Sequence, residues 1–262
     1  MTGREPGQVQ SVCKAMDLLA SLAQAGSPLS LGELSRRTGM PKATVHGLLA
    51  AMRASAVVEQ SGEDGKYRLG IRLFEYGCAV SRGWNILNAA AEPMRQAAEE
   101  TGETVSVASL DRGTVLILDS ANARGNFRVI SEKGSRLPIH CTSQGKLLLA
   151  YLPPAQRRPL LRDCDFTAYT PHSHTNAQAL EAEMDQILAQ GYAVENGELR
   201  IGLRSVSAPV FDVTGSAAYA VCVVGMLRRV NSPELERATA LVLEAAQRIS
   251  FGLGYRGDFP NH

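Results

Sequence analysis

Residues 29–69 constrain the fold more tightly than any other stretch, because start and stop signals for two short helices and a hairpin follow one another there. Ser30 precedes an apolar-periodic segment and Glu33 lies three residues on. That pairing satisfies the orphan N–H groups of a helix start reciprocally. Leu31 and Leu34 turn inward, and Thr38-Gly39 ends the helix, since glycine adopts the left-handed conformation that closes a last turn. Pro41 follows, where a first-turn proline is tolerated because its missing N–H had no partner. Val45, Leu48, Leu49 and Met52 then fall at helical spacing and predict one buried stripe. Lys42, Thr44, His46, Gly47 and Arg53 are left on other faces. Strands over 57–60 and 66–69 flank a turn with Gly62 and Gly65 and predict a hairpin. In the second strand Lys66 and Arg68 alternate with Tyr67 and Leu69, so one face is basic and the other packs. A second helix whose first exposed turn offers Lys, Thr and His suits a major groove, and a basic hairpin beside it is a wing aimed at phosphate. The expected partner is double-stranded DNA. Lys42, Thr44, His46 and Gly47 would meet it from the reading helix, Lys66 and Arg68 from the wing, and Arg36 and Arg37 from the helix before.

At 262 residues, two modest domains are the better expectation. A hydrophobic share of 45% with 20% charged residues describes an ordinary soluble protein. No apolar run reaches membrane-spanning length, so no membrane partner is expected. Glu5, Pro6 and Gln8 stand where an export signal needs an apolar core, so the expected location is cytoplasmic. The five cysteines are scattered and never spaced C-x-x-C, which argues against a disulfide framework and a zinc cluster. Net charge is +1, yet residues 1–84 carry ten lysines and arginines against seven acids, and the rest seventeen against nineteen. A nucleic-acid module on a near-neutral partner domain produces that split.

Along the chain, a helix over 8–25 with Val12, Ala15, Met16, Leu19 and Leu22 as its apolar face breaks at Gly26-Ser27-Pro28. The expected division is a winged helix-turn-helix over 1–72, connector helices over 73–101, and a mixed α/β (α+β) domain over 102–262. In that last domain strands are predicted at 105–110, 114–119, 127–130, 192–195, 204–211 and 217–224. Helices are predicted at 143–152, through Leu161, at 176–190 and near the end, where Leu235, Ala238, Leu241, Val242, Ala245 and Ile249 share a face. Strands mixed with helices and joined partly by hairpins point to an antiparallel sheet.

The residues Gln8-Val9-Gln10-Ser11, Pro41-Lys42-Ala43-Thr44-Val45-His46-Gly47-Leu48-Leu49 and Tyr67-Arg68-Leu69-Gly70 resemble the N-terminal domain of the IclR family of bacterial transcriptional regulators. The second half is similar too, in Leu137-Pro138-Ile139-His140-Cys141-Thr142-Ser143-Gln144-Gly145-Lys146, Gly191-Tyr192-Ala193, and the run from Gly202-Leu203-Arg204-Ser205 to Phe211-Asp212. Matches in order along nearly the whole chain are far more specific than one helix-turn-helix. The resemblance implies a GAF-like effector domain after the winged helix, and a homodimer or dimer of dimers. It also implies control of a catabolic operon by a small organic acid, with repression favoured over activation. It places ligand contacts on Ser143 and Gln144 through backbone, and on Glu195, Ser205, Cys222 and Val224. Gly47 departs from the arginine more usual there, and glycine costs a helix about 1 kcal/mol relative to alanine.

On physical grounds, Thr142 caps the helix opening at Ser143, and the N–H groups of Ser143, Gln144 and Gly145 would point outward to attract a carboxylate. In the site that the resemblance implies, Cys222 and Val224 make the wall more apolar, so the expected ligand has an aromatic or aliphatic body. No enzyme is expected. His140 and Cys141 are neighbours on an extended segment and point apart, so they form no dyad, and Cys141 reads as a buried thiol. Gly145-Lys146 fails as a phosphate loop because Leu147 holds the Ser/Thr position. His172-Ser173-His174 lacks a third metal ligand, and no metal or cofactor is expected.

Overall fold

The computed structural model describes residues 9–83, 85–122, 132–226 and 232–260, with side chains for all but 80–83 and 232. Two compact units are present, Met1–Gly83 and Trp84–His262.

The first unit runs α1 (Gln10–Ala25), α2 (Leu31–Thr38), α3 (Lys42–Ala54), β1 (Val58–Gln60), β2 (Tyr67–Leu69) and α4 (Ile71–Gly83). Helix α2 starts as its sequence demands. Ser30 Oγ accepts from the Glu33 N–H at 3.3 Å, and Glu33 Oε2 accepts from the Ser30 N–H at 2.8 Å. It ends at Gly39, whose φ of 68° is the left-handed value a side chain resists. Helix α3 begins one residue later than the proline suggested, with Pro41 as its N-cap. Strands β1 and β2 pair antiparallel, Val58 opposite Leu69 and Gln60 opposite Tyr67. Leu18, Leu22, Leu34, Val45, Leu49, Val58 and Tyr67 form one buried core. The predicted face of α1 holds in part: Leu22 is buried and Ala15 and Leu19 pack half-buried against the core, while Val12 and Met16 are exposed and Leu18, not predicted, is buried. Helical spacing fitted both stripes equally, and packing against α2 and α3 chose between them.

The second unit runs α5 (Asn85–Thr101), β3 (Thr104–Asp111), β4 (Thr114–Ala121), β5 (Arg136–Pro138), α6 (Ser143–Tyr151), α7 (Pro154–Arg162), α8 (Ala177–Gln190), β6 (Ala193–Asn196), β7 (Leu203–Phe211), β8 (Ala217–Met226) and α9 (Ser232–Gly252). Among the described residues its six strands are all antiparallel, in the order β5-β4-β3-β8-β7-β6. Helices α5 and α9 cover one face, where Met94, Val206, Val210, Val221, Val223 and Val242 are buried together. Helices α6, α7 and α8 cover the other, around Ile117, Ile139, Leu147, Leu149, Leu180 and Ile187. The stretch 73–101 expected as a connector is divided between the units: α4 belongs to the first, and α5 buries Ile86, Ala90, Met94, Ala97 and Ala98 in the second. The strand expected at 127–130 lies outside the described residues. Strand β5 was not anticipated; three residues are too short for an alternation to show.

Candidate functional site

Each unit brings together residues singled out from the sequence. In the first, α3 buries Val45, Leu49 and Met52 and exposes Lys42, His46 and Gly47, with Thr44 half-buried between the faces. Lys42 and His46 stand one turn apart on the outer face. No side chain caps α3, so donors of its first turn remain available to an anion. A Cβ on Gly47 would meet no heavy atom within 4 Å. Arg36 and Arg37 are exposed in the last turn of α2. The wing is less free than its sequence suggested. Arg68 donates to Glu59 across the hairpin, Nε to Oε2 at 3.0 Å and Nη2 to the same oxygen at 2.9 Å. Lys66 Nζ lies 3.8 Å from Asp64 Oδ2. Arg53 donates to Gln60 Oε1 at 2.6 Å, tying α3 to the first wing strand.

In the second unit, strand parity and register build one cavity. Side chains alternate across a sheet. Ser106, Glu195, Ser205, Ser207, Cys222 and Val224 all fall on the α6 side, with Glu195 opposite Ser205, Ser205 opposite Val224, and both Ser106 and Ser207 opposite Cys222. A cavity of about 130 Å3 opens there, at the N-terminus of α6. Ser143, Gln144, Glu195, Ser205, Cys222 and Val224, the six residues expected at the ligand, all line it. Ser143 Oγ sits 2.8 Å from Ser205 Oγ and 2.7 Å from Ser207 Oγ, and 3.6 Å from Cys222 Sγ. Gln144 donates to Ser106 at 3.4 Å.

One detail corrects the sequence reading. The Gly145 N–H does not point outward; Thr142 Oγ1 accepts it at 3.2 Å. Of the three first-turn donors expected to face outward, the Gly145 N–H is thus taken by the cap. Gly145 has another role: a Cβ there would collide with the Ile139 backbone.

Glu195 is buried, and burial pushes its carboxyl above the usual range despite hydrogen bonds that favour the charge. Its Oε1 accepts the N–H groups of Glu198 (2.7 Å) and Leu199 (3.3 Å), and Oε2 accepts from Ser205 at 3.2 Å. Burial likewise raises the Cys222 thiol. It pushes Cys141 up to about 12, so neither cysteine is an activated nucleophile. His140 contacts Thr167 O at 2.9 Å and Cys164 Sγ at 3.8 Å.

Sequence reasoning missed Leu137, Leu199, Arg200 and Leu203 on the cavity wall. The alternation Ser205-Val206-Ser207 inside an apolar strand was a legible sign of a polar inner face, but Arg200 sits on a loop and left no sign. It also missed a buried ionic cluster behind the cavity. Lys146 Nζ donates to Glu183 Oε1 and Oε2 at 2.9 and 3.0 Å and to Glu198 Oε1 at 2.7 Å. His174 Nε2 lies 2.8 Å from Glu183 Oε2. His174 thus serves a carboxylate, and among the described residues no three His, Cys, Asp or Glu side chains are grouped to hold a metal. No helix of the described residues is long and apolar enough to cross a membrane.

A winged helix-turn-helix followed by a cavity-bearing sheet domain defines a ligand-responsive DNA-binding regulator. Residues 11–62 match the IclR helix-turn-helix domain, and residues 78–251 match the bacterial transcriptional regulator IclR C-terminal family. The chain belongs to the IclR family of transcriptional regulators. It is 32% identical over 254 residues to the HTH-type transcriptional regulator BhcR of Paracoccus denitrificans, covering 97% of this chain and 91% of that one. It is 30% identical over 255 residues to the transcriptional repressor IclR of Escherichia coli, covering 97% and 93%. The crystal structure of an IclR transcriptional regulator from Alicyclobacillus acidocaldarius superposes with a TM-score of 0.83 at 27% identity, covering 94% of this chain and 100% of that one. The protein is a DNA-binding regulator with an effector-binding domain.

Proposed function

We propose that this regulator represses a catabolic operon and responds to a small organic acid held in the cavity at the start of α6. The observation that carries the reading is the convergence of Ser143, Gln144, Glu195, Ser205, Cys222 and Val224 on one cavity. Two free backbone donors and a helix dipole favour a carboxylate at its inner end. Leu137, Leu199, Leu203, Cys222 and Val224 line the remainder, which suits an aromatic or aliphatic body. The six-stranded antiparallel sheet flanked by helices, with its cavity at a helix start, is read as GAF-like. Repression is favoured because one of the relatives above is named as a repressor.

Thr44, His46 and Gly47 are assigned to the major groove, Lys42 in the first turn of α3 to the groove and the phosphate at its edge, and Arg36, Arg37, Lys66 and Arg68 to phosphate. The protein acts as a homodimer or a pair of dimers on a near-palindromic operator. In support, Val9, Val12 and Met16 on one stripe at the start of the chain, and Ile71 and Phe74 on α4, leave large apolar side chains exposed. The effector shifts the dimer between arrangements only through differential affinity, and the segment 70–101 joins the two units in sequence. Gel-shift titration on DNA upstream of the gene tests the reading. Lys42→Ala is expected to weaken binding and reduce the salt slope by about 1. An unchanged slope removes Lys42 from phosphate.

A further inference from the structure

Glu195 has a consequence for the effector itself, on the reading that the cavity is the effector site. We infer that a monocarboxylate enters this cavity together with one proton, taken by Glu195 from solvent, so that two carboxyl groups share it with a single negative charge.

The geometry leaves few alternatives. Glu195 and the N-terminal donors of α6 line the same cavity of about 130 Å3, and two carboxylates that close cannot both ionise without a cation between them. The surrounding charges do not supply one. From α6, Lys146 is already held by Glu183 of α8 and Glu198 of the 197–202 loop. His174, from the preceding loop, is spent on Glu183. Arg200 is exposed at the cavity wall, where water screens it. Cys222 on β8 and Cys141 before α6 are buried thiols that bring no positive charge. Burial already favours the neutral form of Glu195 before any ligand arrives.

Protonation also costs no hydrogen bond. Oε1 keeps the N–H groups of Glu198 and Leu199. Oε2 becomes a donor to Ser205 Oγ, which now accepts from it at the same 3.2 Å separation. Ser205, Ser143 and Ser207 are linked hydroxyl to hydroxyl at 2.8 and 2.7 Å. Such hydroxyls rotate, so the chain can reverse its direction.

Isothermal titration of the full chain with acetate, pyruvate, benzoate and phenylacetate tests this, in phosphate and in Tris, whose ionisation heats differ. The tightest of the four is expected to bind with uptake approaching one proton per site at alkaline pH. Its affinity should fall up to tenfold per pH unit wherever Glu195 of the free protein is ionised. Glu195→Gln is expected to retain binding and lose both the uptake and the pH dependence. Equal heats in the two buffers with affinity flat in pH overturn the inference and leave the effector site standing. So does uptake that persists in Glu195→Gln. If no uptake occurs and Arg200→Gln abolishes binding, the compensating charge is Arg200. Failure of all four acids to bind overturns both this inference and the acid-effector reading, while gel-shift binding to DNA remains a separate result.

Discussion

Replacing Lys146 with methionine keeps the length and volume of the side chain and deletes only its charge. Lys146 is 1% exposed, and its ammonium group makes three contacts of 3.0 Å or less to Glu183 and Glu198. Without it, two carboxylates face each other behind the cavity with His174 and the Asn196 N–H beside them. Stripping one partner from a buried ion pair costs about 3–5 kcal/mol. The lower end applies here, because the Glu183 side chain is 26% exposed and keeps its bond to His174. A loss of about 3 kcal/mol at a urea m-value of about 2 kcal/mol/M moves the midpoint by roughly 1.5 M. Urea unfolding followed by near-UV circular dichroism at fixed protein concentration reads that shift. Adding Glu198→Gln to Lys146→Met should recover more than half of it, since one of the two stranded charges is gone. Acid provides a second check. Burial alone would raise the Glu183 carboxyl, but its bonds to His174 and Lys146 outweigh that and hold it below its ordinary value of 4.5. A depressed carboxylate contributes stability above its unfolded pKa and loses it as pH falls through the folded one. The gap between wild type and Lys146→Met should therefore narrow below pH 4.5. A loss under about 1 kcal/mol with unchanged m, or a gap indifferent to acid, would refute the electrostatic account of this cluster.

Three other outcomes are expected. Gly47→Ala should stabilise α3 by about 1 kcal/mol, since its Cβ meets open space and alanine is the better helix former. Hydrogen exchange of the α3 amides should slow accordingly while operator affinity in gel shift falls; slower exchange with unchanged affinity would show that DNA does not approach this backbone. Glu59→Gln should release Arg68 from its partner across the wing and steepen the salt dependence of operator binding by about one unit of slope. An identical slope would place Arg68 away from phosphate. Ser30→Ala removes the side chain that accepts the Glu33 N–H and should cost about 1 kcal/mol, read as a lower thermal midpoint that Ser30→Asp restores.

The reading of residues 29–69 needed only short-range chemistry. A capping box, a left-handed glycine and an apolar stripe are each set by residues three or four apart, and the structure reproduces each, with Leu48 of the stripe only half-buried. Helix α1 shows where that range ends. Val12 and Met16 fit a helical stripe as well as Leu18 does, and the choice was made by α2 and α3, which the local pattern does not see. The wing shows a second limit. Lys66 and Arg68 were legible as a basic face, but their acidic partners Asp64 and Glu59 became partners only through the turn and the hairpin register.

The chain alone determined the division into two parts, most element types and the family, because periodicity, capping and motif order are written in consecutive residues. It also marked six cavity residues, through resemblance. Tertiary structure decided the rest. Glu195, Ser205 and Val224 became neighbours through strand register, Gly145 was dedicated to the Ile139 backbone, and Lys146 was drawn into a cluster whose members lie up to 52 residues away. Such pairings depend on which strands lie side by side and on charges being forced together out of water, and a burial of that kind exists only once the whole sheet has closed against its helices.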